Sequence, residues 1–518
     1  MRNNDYDFIK NKFDNAVPAV PHGITPQVMA DKIRANQQHK TNNTVKFEDI
    51  KSEKSEQKKR INFKPLITAA ACFILALGIF ASVNQFNNSN ENKAYQFKDD
   101  DELNTVVADL EKWGSGEGMG SGGSWLFQDI YTPDDLKNSG KNVAANDKYI
   151  FYSYYDYNNS VDRNKLYIFS ADGENSKLIN IMNDVAPNDD YYISDIFLVD
   201  NSLTVTVSDD SDTIIKTYDV SDPANPILIN EIRQDGMLMN SYMIDGIAYL
   251  VSFYGVAQQE TEDFVPKSEN LSIKAKNIYR FDNIKTANYM VIGAVDVKSG
   301  KVADETRAIL GCYYETYITD GYLYVANDNA YWTNNRDEIE YIKYDLKTGK
   351  AVIEAPERVN LPSCIELSDG SFFDVNDTLI RIDDNRLISI TSRVDLETRD
   401  YLDGQEIVLY DVTDMSNPIE LDKLILEDSH GCSDIYKDEN GIFSFSTYFA
   451  DDERRYYGAN AFEIKNDKIE LKDKFINEDD NLMYQGSGIV IGDYIYSFDH
   501  NDNAEDNKKL TIYPHKLG

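Results

Sequence analysis

Hydrophobic and polar positions divide the chain into three regimes. Pro65 to Val83 (PLITAAACFILALGIFASV) is a run of 19 residues without a charge, close to the roughly 20 that a helix needs to cross a bilayer core. Asp99 to Trp113 starts with acids and then places Leu103, Val106, Val107, Leu110 and Trp113 at helical spacing, which predicts one amphipathic helix. After the Gly/Ser-rich stretch Gly114 to Ser124, helical periodicity stops. Short β-rich runs bounded by Asp, Asn and Gly take over to the end of the chain.

Those runs repeat. A polar turn followed by a strand occurs at Asp147 to Tyr152, Asp200 to Val205, Asp245 to Leu250, Asp320 to Val325, Asp384 to Ser389, Asn440 to Phe445 and Gly492 to Ser497, a mean spacing of about 58 residues. A second strand follows each, often ending in a hydrophobic-Asp turn, as in Tyr289 to Val297 and Tyr341 to Lys350. Tyr218 to Ile227 (YDVSDPANPI) and Tyr410 to Ile419 (YDVTDMSNPI) match at seven of ten positions and lie 192 residues, or three repeats, apart. Asp, Pro and Asn there predict tight turns between strands. Repetition of one hairpin pair at this period predicts an all-β β-propeller, with seven blades favoured over six or eight. A pair of β-sandwiches explains the strands but not the repetition.

At these residues the chain resembles secreted or membrane-anchored bacterial and archaeal proteins with a C-terminal β-propeller domain distantly related to WD40 repeats. The resemblance runs over about 99–518. It is carried by Tyr218 to Pro226 leading into Gly236 to Val251, by Ile407 to Lys423, by Gly458 to Ile464 and by Ile491 to Tyr496. It implies architecture, and brings no catalytic residues with it. The expected organisation is a tail over 1–64, a membrane helix over 65–84, a spacer over 85–98, a leading helix and Gly-rich loop over 99–124, and the propeller over 125–518.

Charge sharpens the first regime. The net charge is −37, but residues 1–64 hold 13 Lys and Arg against 8 acids, or +5, leaving −42 beyond the uncharged run. Six of those bases lie between Lys51 and Lys64. Basic residues stay on the cytoplasmic side, so the expected topology is a single-pass membrane protein, amino terminus inside and the acidic domain outside the cytoplasm. A buried core helix and a cleaved signal peptide are the alternatives; a 64-residue leader is too long for the latter. The acidity argues against nucleic acid as a partner.

Recognisable chemistry is sparse. The sequence has no G-x-S-x-G, no P-loop, no H-E-x-x-H and no C-x-x-C. Cys312, Cys364 and Cys432 are widely spaced, and isolated thiols are expected over a disulfide. No cofactor is expected, with calcium weighed against a solvated loop at Asp499, Asn501 and Asn503, where oxygen side chains alternate but the loop Gly and the final Glu are missing. Tyr331, Trp332, Tyr448, Arg454, Arg455 and Tyr456 are candidate ligand-binding residues, since exposed Tyr, Trp and Arg concentrate at contacts; packing between blades is the alternative. Ala257 to Lys276 is a further candidate surface loop. In the tail, Phe8, Phe13, Met29 and Ile33 are candidate anchors for a cytosolic partner. The function expected is a non-catalytic binding or scaffold module for protein or glycan at the cell surface. A transmembrane sensor holding a cytosolic regulator and a propeller hydrolase using acid pairs rank behind it.

Overall fold

The computed structural model describes residues 94–114, 130–131, 139–140, 143–153, 164–256, 264–282, 284–327, 339–354, 361, 365–366, 372–373, 378–395, 401–438, 440–450, 455–477, 488–500 and 510–518. The chain divides into two compact units, 1–87 and 88–518, and all of these residues belong to the second. Among them no helix is long and apolar enough to cross a membrane. The run 65–83 and the tail candidates Phe8, Phe13, Met29 and Ile33 lie outside the described residues.

The second unit is all-β. Seven sheets each contain an antiparallel meander in chain order, and one further pair joins Ile365–Glu366 to Phe372–Phe373. Sheet 1 spans 143–182, sheet 2 192–235, sheet 3 237–310, sheet 4 312–353, sheet 5 378–426, sheet 6 429–477 and sheet 7 489–516. Sheets 1 to 6 have four meander strands, here called a to d, and sheet 7 has a to c. Shared apolar cores join sheet 1 to 2, 2 to 3, 3 to 4, 5 to 6 and 6 to 7. Leu323, Val325 and Ile342 of sheet 4 share a core with Val251, Met290 and Ile309 of sheet 3, and Phe443, Phe445 and Phe462 of sheet 6 share one with Ile388, Ile407 and Leu409 of sheet 5. Middle strands are therefore covered on both faces and read as continuous apolar runs. Strand b of sheet 3, Ile247–Gly255, is buried at every position but its first, whereas strand d of sheet 2, Ile227–Asp235, is mostly exposed.

The sequence repeats are the turns between strands a and b. In six sheets the residue after strand c donates its N–H to a carbonyl of that turn: Ala171 to Lys148 at 2.7 Å, Val220 to Asn201 at 2.8 Å, Val297 to Gly246 at 3.0 Å, Leu346 to Gly321 at 3.2 Å, Val412 to Asn385 at 2.7 Å and Leu517 to Asp493 at 2.8 Å. The Asp-Gly pairs meet the positive φ that such two-residue turns demand, Asp245 at 52° and Gly246 at 78°. The hydrophobic-Asp signature closes the c–d turn with its carboxylate. Asp219 accepts from Ser221 N at 2.9 Å, Asp296 from Ser299 N at 2.7 Å, Asp345 from Lys347 N at 3.0 Å and Asp411 from Thr413 N at 2.9 Å.

At the same end, ion pairs step from sheet to sheet. Lys298 meets Asp200 at 2.7 Å, Lys347 meets Asp245 at 2.6 Å, Arg381 meets Asp320 at 3.3 Å and Lys468 meets Asp422 at 2.8 Å. Between sheets 5 and 6 one further pair runs with reversed polarity, Arg386 to Asp467 at 2.9 Å. These are mostly exposed pairs, worth about 0–1 kcal/mol each, so they set register more than they stabilise.

The leading helix α1 (Asp100–Gly114) has a capping box. Glu102 N donates to Asp99 Oδ1 at 2.9 Å, and Lys98 N donates to Glu102 Oε2 at 2.8 Å. Its apolar side, Leu103 and Val107, packs on Ile273, Ala275, Ile278 and Leu310. Of the expected surface loop Ala257 to Lys276, residues 264–276 are described, and they lie at the surface but carry paired strands. Within that segment and just beyond it, Lys267–Ser268 pairs with the outer edge of sheet 2, and Ile278–Arg280 pairs in parallel with strand d of sheet 3. The two-residue strand β1 (Tyr95–Gln96) pairs with Ile278–Arg280 in turn. The insertion covers two open sheet edges and seats the helix.

The ring closes by side chains. Among the described residues no strand is exchanged between sheets 7 and 1. Tyr152 stacks on Phe498 with centroids 4.3 Å apart, Gly173 N donates to the Tyr496 hydroxyl at 3.0 Å, and Val143, Ile150, Phe169, Ile489 and Leu510 complete the seam. Gly173 has φ +52° and lies so close that a Cβ there would sit 2.7 Å from the Tyr494 ring.

Phe498→Ala is expected to cost about 3–5 kcal/mol in denaturant melts, through lost burial and the cavity left at the seam. The exposed Ile227→Ala control should stay within about 0.5 kcal/mol. Acid should also destabilise the domain. Hydrogen bonds to backbone and hydroxyl groups of the turns hold Asp219, Asp296 and Asp411 below the ordinary 3.8. Their contribution is therefore complete above that value and is lost as pH falls through it and below. Melting temperatures measured from about pH 6 down to about pH 2 should fall at the acid end.

Candidate ligand-binding face

A four-stranded meander has two ends. The a–b and c–d turns share one, and the b–c turns share the other with the links between sheets. Among the sequence candidates, Tyr448, Arg455, Tyr456 and Asp499 lie at the b–c end. Tyr331 and Trp332 lie between strands b and c of sheet 4, Arg454 between those of sheet 6, and Asn501 and Asn503 between those of sheet 7; all five are outside the described residues. Arg455 and Tyr456 open strand c of sheet 6, and Asp499 closes strand b of sheet 7. Tyr448 is the one candidate with a described side chain, and it is half-buried rather than fully displayed.

Around Tyr448 the b–c end of sheets 5 and 6 carries a compact group. Register places His430, Tyr448 and Tyr457 side by side on strands a, b and c of sheet 6. The His430 and Tyr448 rings stack with centroids 5.2 Å apart and planes 19° from parallel. His430 Nε2 lies 3.1 Å from Asp403 Oδ1, on strand c of sheet 5. Arg393 Nη1 donates to the Asp403 carbonyl at 2.7 Å. Lys474 sits 4.6 Å over the Phe449 ring and pairs with Asp428. Gly431 makes the stack possible: at φ +67°, a Cβ there would press on the Tyr448 ring at 3.2 Å.

A buried polar base supports this group. Gln405 Oε1 accepts from Ser429 Oγ at 2.9 Å and Thr447 Oγ1 at 3.3 Å, and Asn460 Nδ2 donates to Ser429 Oγ at 2.8 Å. Gln405, Ser429, Thr447 and Asn460 are all at most 2% exposed. The single Thr447 hydroxyl proton is shared between Gln405 Oε1 and the His430 carbonyl, 2.9 Å away, which ties strand a to this base beneath the stack. Sheets 2 and 3 have a counterpart. Gln234 Nε2 donates to Ser252 Oγ at 2.8 Å, and Gly293 leaves room for it, since a Cβ there would lie 2.2 Å from Gln234 Oε1.

These glutamines were missed from sequence, although a signal exists. The sixth residue of strand b is a buried polar residue in four sheets, Ser252, Asn327, Thr391 and Thr447. Nearby, at the same end of sheet 2, Tyr191 donates to Asp212, whose other oxygen takes Arg233 Nη1 at 2.8 Å. Burial pushes both the Tyr191 phenol and the Asp212 carboxyl up.

The acid pairs weighed for hydrolysis find structural work where they are described. Asp209 Oδ1 closes the b–c turn of sheet 2, accepting from the Ser211 and Asp212 N–H groups. A cleft of 370 Å³ at the opposite end is lined by Asp383, Asp384, Asn385, Arg386, Asp411, Leu421 and Asp467. There Arg386 bonds Asp383 and Asp467, and it holds the Asp383 carboxyl below its usual range. Among the described residues no group of three or more His, Cys, Asp or Glu is placed to hold a metal. Cys312 is buried and its thiol donates to the Asn288 carbonyl at 3.6 Å, Cys432 is half-buried, and Cys364 lies outside the described residues. What the b–c end offers chemically is ring faces beside carboxylate oxygens.

A family model described as a beta propeller domain matches residues 133–360 and 375–505, well over half of the chain. No curated protein sequence matches. Among solved structures, a hypothetical selenium-binding protein from Sulfolobus tokodaii is 11% identical, with 67% of this chain and 81% of that chain covered and a TM-score of 0.35. A 6-phosphogluconolactonase, so described provisionally, from Bacteroides fragilis is 10% identical, with 71% and 95% covered and a TM-score of 0.34. The GH93 alpha-L-arabinofuranosidase of Fusarium graminearum is 8% identical, with 76% and 98% covered and a TM-score of 0.29. Likeness at this level carries no functional information.

Gln405→Ala should cost about 1–3 kcal/mol, because it leaves buried hydroxyls without their acceptor. Hydrogen exchange should rise at 428–431 while the seam of sheets 7 and 1 keeps its protection.

Proposed function

The chain belongs to the beta propeller domain family, and we propose that it is a seven-bladed propeller held outside the cytoplasm by one membrane span, binding protein or glycan on its b–c face without catalysis. The blade count rests on the seven meanders. The span rests on the uncharged run 65–83 between a basic tail and an acidic domain. The observation that carries the binding reading is the His430–Tyr448 stack beside Asp403, at the same end of the sheets as Arg455, Tyr456 and Asp499. Flat rings cover the apolar faces of a ligand, and carboxylates accept from its hydroxyl or amide groups. The rigid buried base below keeps that geometry set before a ligand arrives.

Protease added to intact cells should cut epitopes placed after residue 94 and spare the amino terminus; the reverse pattern overturns the topology. The full chain in lipid nanodiscs, probed against arrays of envelope proteins and oligosaccharides, should retain ligands that Tyr448→Ala binds at least tenfold more weakly, about 1.4 kcal/mol. Equal retention by both forms overturns the face assignment.

A further inference from the structure

Large apolar side chains are exposed unevenly around the ring. Ten are exposed among the described residues, and six of them, Tyr95, Ile227, Leu228, Ile229, Leu271 and Val302, lie in the outermost strands of sheets 2 and 3. Leu271 is 73% exposed and Ile227 66%. The insertion also leaves part of each outer edge open. Among the described residues, strand d of sheet 2 pairs outward only at Gln234, and strand d of sheet 3 only from Ala308 to Leu310. The open parts, Ile227 to Ile232 and Lys301 to Arg307, are neighbours, because Asn230 Nδ2 donates to the Gly300 carbonyl at 2.7 Å. Ile227 to Ile232 (ILINEI) has no Lys or Pro, whereas strand d of sheet 6, Lys468–Asn477, carries three lysines. Lysine and proline are residues that keep an open edge from joining another chain.

Charge singles out the same wall. Beyond the uncharged run the chain holds 39 Lys and Arg against 81 Asp and Glu. Strand d of sheet 2, the segment 267–282 and strand d of sheet 3 together hold seven bases against six acids. Two copies of so acidic a domain repel each other over most of their surface. They can meet where both signs are in balance, since a wall of mixed sign can face its own copy across a two-fold axis without like charges opposed. A basic partner would be drawn to the rest of the surface instead. We propose that the outer wall of sheets 2 and 3 is the contact between two copies of this chain, with Ile227, Leu228, Ile229 and Val302 as its apolar part. This wall is distinct from the b–c face, and the proposal does not rest on that reading.

The full chain in detergent micelles is followed by sedimentation velocity up to about 10 μM, where a micromolar dissociation constant is visible. Wild type should reach the protein mass of two chains. Ile229→Lys places a lysine from each copy in the contact and should weaken the dimer at least about tenfold. Ile425→Lys, on the exposed strand d of sheet 5, should leave it unchanged. A single-chain mass for wild type overturns the proposal. So does a dimer that Ile229→Lys leaves intact, because the contact then lies elsewhere. Photo-crosslinking in cell membranes gives a second readout. A benzophenone amino acid in place of Ile229 should yield a covalent dimer, and one in place of Ile425 should not. No adduct from position 229, or equal adducts from both, overturns it.

Discussion

The constraint beneath everything else is that each sheet buries apolar side chains against a neighbour in the ring. Strands b and c are largely buried because neighbouring sheets cover them, so the stability of one sheet depends on the packing of others. A row of sheets built this way must bring its last member against its first. Here that contact is made by Tyr152, Phe498, Tyr496 and Gly173 rather than by a strand shared between sheets. The seam thus depends on side-chain fit, and Gly173 is needed because no other residue fits both its positive φ and the Tyr494 ring against it.

The acidity of the domain takes a different meaning once the turns are seen. Several carboxylates are turn fixtures: Asp219, Asp296, Asp345 and Asp411 accept backbone N–H groups, and Asp200, Asp245 and Asp320 pair with cations of the next sheet. They gather at the a–b end, where they hold sheets in register. Of the adjacent acids weighed for hydrolysis, Asp209 likewise closes a turn, and Asp451 and Asp452 lie outside the described residues.

The opposite end carries the His430–Tyr448 stack. It stands on buried Gln405, Ser429, Thr447 and Asn460, whose hydrogen bonds hold the strands beneath it. The covering of the outer edges by the insertion and α1, and of two inner edges by Ile130–Tyr131 and Ser139–Gly140, deals with the exposed-edge problem inherent in a ring of separate sheets. Neither cover was legible beforehand, because each depends on which distant edge the segment meets.

The all-β class, the repeating turns, the capped helix and the sites of the c–d turns follow from the sequence alone, because each is a local matter. Asp-Gly adopts positive φ within two residues, a carboxylate reaches an N–H two residues on, and Asp99 and Glu102 cap within one turn. Tertiary structure decided which of these distant pieces meet. That His430 and Asp403 form a pair, that Gln405 braces Ser429 and that Phe498 seals against Tyr152 are contacts between sheets. Their partners are set by the order of blades around a closed ring, a property that no single repeat encodes.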